Sequence, residues 1–369
     1  MSPSLVFMLP VAELQRLGES AGLDGVGVCS ADPFVETERE ISDRKAAGYS
    51  GKLKFTYADP SRATDVRFTY PWAHRLVVGV RSYMPNAGQP GPPDGVTGRV
   101  SRFSIEDYYQ PLRAALDRLA TYIADQGFRA EILLDDNRLV DRAAAVRAGV
   151  GWWGKNTMVL NPKYGPWLLI GSIITDAPFE VSEPMRRDCG SCSACLPACP
   201  TGALVAPGVL DASKCLAHWA QVPGVVPWEF RELMADRIYG CDDCLDACPP
   251  GQQLLSISTT NRGRYNLSEM LTASDDELLS TFDRFYIPRR DPAYLRRNAL
   301  IAAGNSGNPD LIVVVASYLG HRSWMLRAHA VWAYAVLSDD RSLLAEVAAH
   351  ETHEAVQVEL ARVAVDEQN

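Results

Sequence analysis

The sequence predicts an α+β protein built from an α/β region, a cysteine-rich region and a helical region. Segments with strand and helix periodicity alternate through the first half of the chain. Eight of the nine cysteines fall between Cys189 and Cys248, and from Pro292 onward the chain is alanine-rich with helical spacing. We therefore expect three domains, at residues 1–182, 183–255 and 256–369.

Composition narrows the class of protein. The chain has 369 residues, of which 47% are hydrophobic and 22% charged, so a largely disordered chain is excluded. The net charge, 36 − 45 = −9, argues against a surface that binds nucleic acid non-specifically along its whole extent. We find neither an apolar run of the ~18–20 residues that cross a bilayer nor the pattern of a secretory signal. A cytoplasmic protein is expected.

The elements of the first region follow in order from periodicity. The long amphipathic pattern at 106–126 predicts a helix, and the apolar run at 167–175 predicts a buried strand. Proline and glycine mark residues 85–98 as a loop. The other predicted elements are a helix at 11–21 and strands at 24–30, 75–82 and 130–134.

A glycine-rich segment, Ala-Gly-Val-Gly-Trp-Trp-Gly-Lys-Asn-Thr, occupies residues 148–157. It matches neither a Walker loop nor a dinucleotide-binding fingerprint. Its glycines would allow the backbone either to approach a bulky planar ligand or to make tight turns. Both interpretations stay open from the sequence.

The cysteine spacing indicates iron–sulfur chemistry. Four cysteines form the pattern C-x2-C-x2-C-x3-C before Pro200, which is typical of bacterial ferredoxins with two clusters. Zinc, the alternative, commonly takes two C-x2-C pairs. We expect two [4Fe-4S] clusters with crossed ligand sets. The sets are Cys189, Cys192, Cys195 and Cys248 for one cluster, and Cys199, Cys215, Cys241 and Cys244 for the other.

Cys29, the ninth cysteine, stands alone in the sequence. Structural disulfides are not expected in a reducing compartment. A small thiol at the end of a predicted strand is most simply a core residue.

The helical region contains two related segments. Residues 297–304 resemble residues 327–334, thirty positions later, which indicates either a short HEAT-like repeat or a plain helical hairpin. Just before and within the first segment, arginines alternate with aromatic residues. They would either contact RNA phosphates and bases or form a solvated helix end. The arginines are Arg284, Arg289, Arg290, Arg296 and Arg297.

The eight cysteines, the segment at 148–157 and the segment Asn-Ala-Leu-Ile-Ala-Ala-Gly-Asn-Ser-Gly at 298–307 occur in one order. In this order the chain resembles the epoxyqueuosine reductases, which are cobalamin- and iron–sulfur-dependent enzymes of tRNA modification. The resemblance covers about residues 10 to 335. It implies a nitroreductase-like N-terminal domain that binds cobalamin, and a substrate tRNA that carries epoxyqueuosine.

The resemblance also implies roles for individual residues. Asp135, seventeen positions before Trp152, would be the proton donor, and Asp136 beside it would help to raise its pKa. Lys155 and Asn156 would either bind corrinoid amides or cap a turn, and His218 would be either a lower cobalt ligand or a packed residue. The implied cofactor contacts are Arg102, Asp135, Gly154, Lys155, Asn156, Thr157 and His218.

The implied partners are the tRNA and a reducing donor of the ferredoxin or flavodoxin type, with the enzyme as a monomer. Two other functions remain open. A corrinoid reductase of a small molecule would need no RNA contact, and an electron-transfer protein would have clusters but neither corrinoid nor catalytic acid.

Overall fold

The computed structural model describes residues 8–84, 93–257 and 263–366, and the predicted loop at 85–98 lies partly outside them. The chain forms two compact units, and neither is one continuous segment. Their limits therefore do not coincide with the predicted boundaries after residues 182 and 255. Unit 1 comprises Met1–Ala87, Glu106–Ser213 and Asp243–Thr259, and unit 2 comprises Gly88–Ile105, Lys214–Asp242 and Thr260–Asn369.

Helices account for most of the regular structure in the described residues. In chain order they are α1 (Val11–Ala21), α2 (Val35–Ala46), α3 (Phe55–Ala58), α4 (Pro60–Thr64), α5 (Tyr109–Asp125), α6 (Asp141–Arg147), α7 (Cys195–Ala198), α8 (Leu216–Gln221), α9 (Trp228–Met234), α10 (Asp243–Asp246), α11 (Pro249–Ile257), α12 (Leu267–Thr272), α13 (Asp275–Thr281), α14 (Ala293–Ser306), α15 (Ile312–Ala316), α16 (Trp324–Leu337), α17 (Ser342–His350) and α18 (Glu354–Asp366).

Within the described residues, the strands form four small sheets. In chain order they are β1 (Gly25–Ser30), β2 (Arg75–Ser82), β3 (Thr97–Val100), β4 (Ala130–Leu133), β5 (Trp152–Trp153), β6 (Val159–Leu160), β7 (Leu168–Thr175), β8 (Leu204–Ala206), β9 (Val209–Leu210), β10 (Arg237–Tyr239) and β11 (Arg264–Asn266).

Unit 1 is organised around the four-stranded sheet β1-β2-β7-β4, in which every neighbouring pair is antiparallel. The central strands β2 and β7 are rich in valine, leucine and isoleucine, and most of their residues are buried. Such continuous apolar runs require cover on both faces of a sheet. Helix α5 presents Leu112, Leu116 and Leu119 as part of that cover, and all three are buried.

Unit 2 combines the three-stranded sheet β10-β3-β11 with the C-terminal helices. Its core is one continuous cluster that includes most of α14 and α16. Helices α14 and α16 pack closely at Gly304, where an added Cβ would lie 2.7 Å from the Trp332 ring. The two related sequence segments are therefore packed partners, as either a repeat or a hairpin requires.

Every predicted element of the first region is present, with ends that differ by three residues or fewer. The mixed helix and strand composition is thus confirmed, and the antiparallel main sheet agrees with the α+β class. No helix within the described residues is long and apolar enough to span a membrane. The HEAT-like and nitroreductase-like descriptions stay predictions.

Candidate iron–sulfur and acid site

Four thiols of unit 1 lie close together in the loops around α7 and before α11. Cys195 and Cys248 are buried, whereas Cys192 is exposed. The pKa of Cys248 is raised to about 12. Burial is the main cause, and the neighbouring thiols of Cys189, Cys195 and Cys192 contribute to the rise. Thiols this close to one another would repel each other as anions unless a positive centre were bound. The structure thus brings together the first predicted ligand set.

The second predicted set is divided between the units, with Cys199 and Cys244 in unit 1 and Cys215 and Cys241 in unit 2. The Cys199 sulfur accepts a hydrogen bond from the Ala203 amide at 3.2 Å and lies 3.6 Å from the Thr201 hydroxyl. Burial raises the pKa of Cys199, but hydrogen bonds from Thr201 and from backbone amides outweigh it and lower the pKa overall. This sulfur is therefore prepared to hold negative charge.

Among the described residues, no group of three or more histidine, cysteine, aspartate or glutamate side chains is arranged to hold a single metal ion. The spacing of these thiols nevertheless predicts a cluster site, because thiolates are the ordinary ligands of [4Fe-4S] clusters. The donor chemistry of the first set fits such a cluster.

The glycine-rich segment at 148–157 braces the first thiol set. The Lys155 amide donates to the Cys189 sulfur at 3.4 Å, and its ammonium group donates to the Gly190 carbonyl at 2.7 Å. Asn156 is buried, accepts from the Met158 amide at 3.1 Å and donates to the Cys244 carbonyl at 3.5 Å. These bonds agree with the turn-capping interpretation of Lys155 and Asn156, and their role as corrinoid contacts stays a prediction.

Gly154 belongs to the same turn, and its predicted cofactor contact likewise stays a prediction. A Cβ at this position would lie 2.5 Å from the Asn156 side-chain oxygen, so glycine is needed for the tight turn itself rather than for access to a ligand. Thr157 has a left-handed backbone with φ of 67°, and its carbonyl accepts from Arg142 at 3.2 Å. A non-glycine residue in this conformation stores strain, which is common at functional loops.

Asp135 lies directly after β4, and its backbone is also left-handed, with φ of 51°. The residue is exposed, yet protein atoms around its carboxyl group raise its pKa above the ordinary value. Arg142 opposes this rise, and the charge of Asp136 adds to it. The pKa shift has the expected direction, and its main cause is desolvation of the carboxyl group rather than the charge of Asp136.

Arg138 binds the carboxylate of Asp136, which makes Asp136 a poor proton donor. The Arg138 guanidinium donates to both carboxylate oxygens of Asp136, at 2.8 and 2.5 Å, and to the Tyr70 hydroxyl at 2.7 Å. The hydrogen bond from Arg138 lowers the pKa of Asp136, so Asp136 stays ionised. The pKa values of the two adjacent aspartates are therefore shifted in opposite directions, and Asp135 is the better suited of the two to donate a proton.

The sequence reasoning missed Asp141 and Arg142, which begin α6. Burial raises the pKa of Asp141 well above its ordinary value, and the charges of Asp135 and Asp136 raise it further. One oxygen of Asp141 has no hydrogen-bond partner among the described residues. An aspartate in the first turn of a helix is common because it stabilises the helix. The sequence therefore gives no sign of a second role for Asp141.

Two of the predicted RNA-contacting arginines are internal. Arg297 is fully buried in unit 2, and its guanidinium donates to the carbonyls of Val222 and Trp219 at 2.6 and 2.7 Å. Arg296 is buried and donates to Asp275 at 2.5 Å and to the Ala273 carbonyl at 2.7 Å. Their assignment as RNA contacts is corrected, because these guanidinium groups are enclosed and occupied by protein acceptors.

The remaining arginines of the patch lie nearer the surface. Arg284 is half-buried and donates to the Ser104 carbonyl and the Tyr265 hydroxyl, each at 2.8 Å. Arg289 and Arg290 are exposed, as is Tyr286 beside them. Only the part of the patch around Tyr286, Arg289 and Arg290 is accessible to a macromolecular partner.

His218 and Arg102, both in unit 2, are further predicted cofactor contacts. His218 is buried within α8 and packs edge-on against Trp219, with ring centroids 5.5 Å apart, as the packing interpretation expects. The Arg102 amide and guanidinium both donate to Asp242, at 2.8 and 3.3 Å. Asp242 thus fixes Arg102 in place.

For a corrinoid, unit 1 offers polar groups that lack internal partners. Among the described residues, the buried indole N–H of Trp152 and one carboxyl oxygen of Asp141 make no hydrogen bond. Buried polar groups are normally satisfied, so such groups fit a ligand with its own donors and acceptors. The amide-bearing rim of a corrinoid is a ligand of that kind.

Comparison with known proteins identifies the class first. Residues 188–251, which contain all eight clustered cysteines, match the family of 4Fe-4S double cluster binding domains. Together with the thiol set, this match defines an iron–sulfur protein with a double-cluster domain.

An epoxyqueuosine reductase of Bacillus cereus is 30% identical over 349 residues, which cover 87% of each chain. The chain therefore belongs to the epoxyqueuosine reductase family. A solved epoxyqueuosine reductase bound to an epoxyqueuosine-modified stem loop of tRNA-Tyr has 29% identity and a TM-score of 0.87, over 95% of this chain and 97% of that one.

A further solved structure bears on the acid. It is an epoxyqueuosine reductase from Bacillus subtilis whose catalytic aspartate loop is swung out of the active site. Its identity to this chain is 28% and its TM-score is 0.85, over 95% of this chain and 97% of that one.

Proposed function

We propose that this oxidoreductase reduces epoxyqueuosine to queuosine in the anticodon loop of tRNA. The observation that carries the proposal is the similarity, along nearly the whole chain, to the relative solved with an epoxyqueuosine-modified stem loop. The exposed group Tyr286, Arg289 and Arg290 supports RNA contact, because guanidinium groups bind phosphates and tyrosine stacks on unpaired bases.

The reaction sets the requirements of the site. Removing the oxygen of an epoxide to leave an alkene consumes two electrons and two protons and releases water. When bound, two [4Fe-4S] clusters would supply single electrons and a cobalamin a nucleophilic low-valent cobalt. The chain must hold these groups, exclude water and deliver a proton to the oxygen that leaves carbon.

Asp135 is the proton donor in this proposal. Protein atoms around its carboxyl group raise its pKa above that of an ordinary aspartate although the residue is exposed, and the Arg138 contact lowers the pKa of Asp136 beside it. A relative's catalytic aspartate loop supports this placement. Arg142 donates a hydrogen bond to the Thr157 carbonyl, and its charge lowers the pKa of Asp135. In this proposal, Arg142 positions the loop that carries the acid.

The cluster ligands follow the crossed assignment. Cys189, Cys192, Cys195 and Cys248 bind one cluster, and the four remaining clustered cysteines bind the other. Arg102 and His218 contact the cobalamin from unit 2. A ferredoxin- or flavodoxin-type protein supplies the electrons, and the enzyme acts as a cytoplasmic monomer with a nitroreductase-like N-terminal domain and a HEAT-like C-terminal part.

The test is anaerobic reconstitution followed by iron and cobalt analysis and a turnover assay on tRNA that carries epoxyqueuosine. About eight irons and one cobalt per chain, with formation of queuosine, are expected for two cubes and one corrinoid. A protein that binds both cofactors yet leaves epoxyqueuosine unchanged would refute the proposed substrate.

The cluster assignment has its own matched pair of variants. Cys248→Ser removes a predicted ligand and should lower the iron content by up to about half. Cys29→Ala removes a buried thiol whose nearest polar partner is the Ala144 carbonyl at 3.8 Å, and it should leave the iron content unchanged. Equal iron loss in both variants would contradict the assignment.

A further inference from the structure

Trp152 is held firmly in a small hairpin of unit 1. It lies on β5 directly opposite Leu160 on β6, and a Cβ on the preceding Gly151 would lie 2.5 Å from the Leu160 carbonyl oxygen. The two strands therefore approach as closely as a glycine allows. The Arg187 guanidinium lies over the Trp152 ring, 5.9 Å from its centroid. Hairpin and cation together fix the position of the ring.

The Trp152 ring belongs to the same small core as two predicted cluster ligands. Trp152, Leu160 and Cys248 form one buried hydrophobic group, and Cys189 packs against it together with Met158 and Met185. The turn of the hairpin reaches the same thiols, because the Lys155 amide donates to the Cys189 sulfur at 3.4 Å. The indole is therefore a neighbour of the first thiol set, which comprises Cys189, Cys192, Cys195 and Cys248.

The indole N–H of Trp152 is an unused donor in this core. Trp152 is only 6% exposed, and within residues 8–84, 93–257 and 263–366 its N–H has no hydrogen-bond partner. An indole nitrogen can donate but not accept, and a buried donor without a partner is unfavourable. The N–H therefore suits an acceptor that belongs to a bound cofactor.

We propose that the indole N–H of Trp152 donates a hydrogen bond to a sulfide of the [4Fe-4S] cluster held by the first thiol set, and that this bond raises the reduction potential of the cluster. The inference rests on the proposed function, which assigns a cluster to these four cysteines. Reduction adds one negative charge to a cluster, and a hydrogen bond to its sulfur stabilises that charge. Trp152 thus favours entry of an electron without being a ligand.

A corrinoid amide is the other acceptor that the proposed function brings to the protein. The two acceptors are separated by the use of full-length protein loaded with iron and sulfide but without cobalamin. In that protein the corrinoid cannot accept the bond, so any effect of the N–H on the cluster is direct. A separate cobalamin titration, followed by absorbance, measures the other possibility.

The first test is a redox titration followed by EPR. Trp152→Phe keeps an aromatic ring and removes the N–H. Trp153→Phe is the matched control, because successive side chains of a strand point to opposite faces and Trp153 is 43% exposed. Circular dichroism and iron content establish that both variants are folded and loaded.

Trp152→Phe should lower one of the two cluster potentials, by up to about 59 mV for a tenfold change in the equilibrium constant of a one-electron couple. The affected cluster should be the one whose signal is lost in Cys248→Ser. Water admitted beside the smaller ring would stabilise the added charge and raise the potential, so the sign of the shift separates the hydrogen bond from a packing defect. Trp153→Phe should change neither potential.

The second test needs no variant. Wild-type protein labelled with tryptophan that carries ¹⁵N in the indole ring should show a ¹⁵N coupling to the reduced cluster in ENDOR spectra, because a hydrogen bond carries spin density onto its donor. The coupling should persist in Trp153→Phe and disappear in Trp152→Phe.

A lowered potential together with the coupling supports the proposal. Absence of the coupling in the wild type, or a potential in Trp152→Phe that is unchanged or raised, would overturn it. A loss of cobalamin affinity in place of these effects would also overturn it and would assign the N–H to the corrinoid. An enzyme that holds about eight irons yet leaves epoxyqueuosine unchanged would refute the proposed substrate, while the bond from Trp152 would stand.

Discussion

The charge of Asp135 raises the pKa of Asp141, the buried carboxyl at the start of α6. Two carboxyl groups that titrate in one neighbourhood lose their protons in separate steps, and the coupling keeps one of them neutral at higher pH. Asp136, whose pKa the hydrogen bond from Arg138 lowers, adds to the rise in the pKa of both carboxyl groups. The site thus contains a protonatable acid next to a permanently charged neighbour, which is the division of labour that acid catalysis requires.

Asp135→Asn should lower single-turnover reduction of epoxyqueuosine by ~10²–10⁴-fold, the usual contribution of a general acid. Iron and cobalt contents should be unchanged, because no cluster ligand is altered. Asp136→Asn is the control, since its carboxylate bonds Arg138, and its loss of rate should be much smaller. Equal losses in the two variants would contradict the assignment of Asp135.

Arg142→Gln should extend activity to higher pH. Arg142 lowers the pKa of Asp135, so removing its charge raises that pKa and keeps the acid protonated further into the alkaline range. The alkaline limb of the profile of kcat/KM against pH should therefore move upward. Arg39→Gln, on the exposed face of α2, should leave the limb in place. A downward shift in Arg142→Gln would refute this account.

Asp141→Asn should stabilise the folded protein at neutral and alkaline pH. The folded-state pKa of Asp141 lies well above its ordinary value, so the folded state binds this proton more tightly than the unfolded state does. Stability is therefore lost as pH rises from the unfolded pKa through the folded one. The difference in Tm between the variant and the wild type should grow between about pH 5 and about pH 8, the interval over which a raised carboxyl pKa titrates. A constant difference would contradict the prediction.

Thr201→Val should lower the reduction potential of the cluster to which we assign Cys199 as a ligand. The Thr201 hydroxyl lies 3.6 Å from the Cys199 sulfur, and hydrogen bonds to cluster sulfurs stabilise the reduced, more negative state. Thr201→Ser keeps the hydroxyl and should restore the potential. Redox titration followed by EPR measures both variants, and an unchanged potential in Thr201→Val would remove the role of this contact.

Glu359→Gln should destabilise unit 2 by ~3–5 kcal/mol, because it leaves the fully buried Arg231 without its counter-charge. In the wild type, Arg231 donates to both Glu359 oxygens, at 2.8 and 2.6 Å. Glu40→Gln removes an exposed partner of Arg44 on α2 and should cost less than ~1 kcal/mol. Urea unfolding of both variants gives the comparison. A similar cost for the two would show that burial of the pair contributes nothing.

The sequence by itself determined the local elements and the chemistry of the clustered thiols. Helix α1 and strand β2 have the predicted limits, because hydrophobic periodicity within a short segment is a local property. The cysteine spacing likewise places Cys189, Cys192 and Cys195 in one short loop before any tertiary contact forms. The positional match to the epoxyqueuosine reductases singled out Asp135 as the candidate acid, and its raised pKa depends on the surroundings that the fold creates.

Only the tertiary structure decided which charged residues outside these motifs are buried and which are accessible. Arg296 and Arg297 read in the sequence as surface cations, but α14 is enclosed by unit 2 and turns both inward. Arg99, Arg237 and Arg264 are neighbours on three strands that are far apart along the chain, so no local pattern reveals that they lie side by side. Burial and strand register depend on contacts between distant segments, and they decide whether an arginine binds a partner or supports the core.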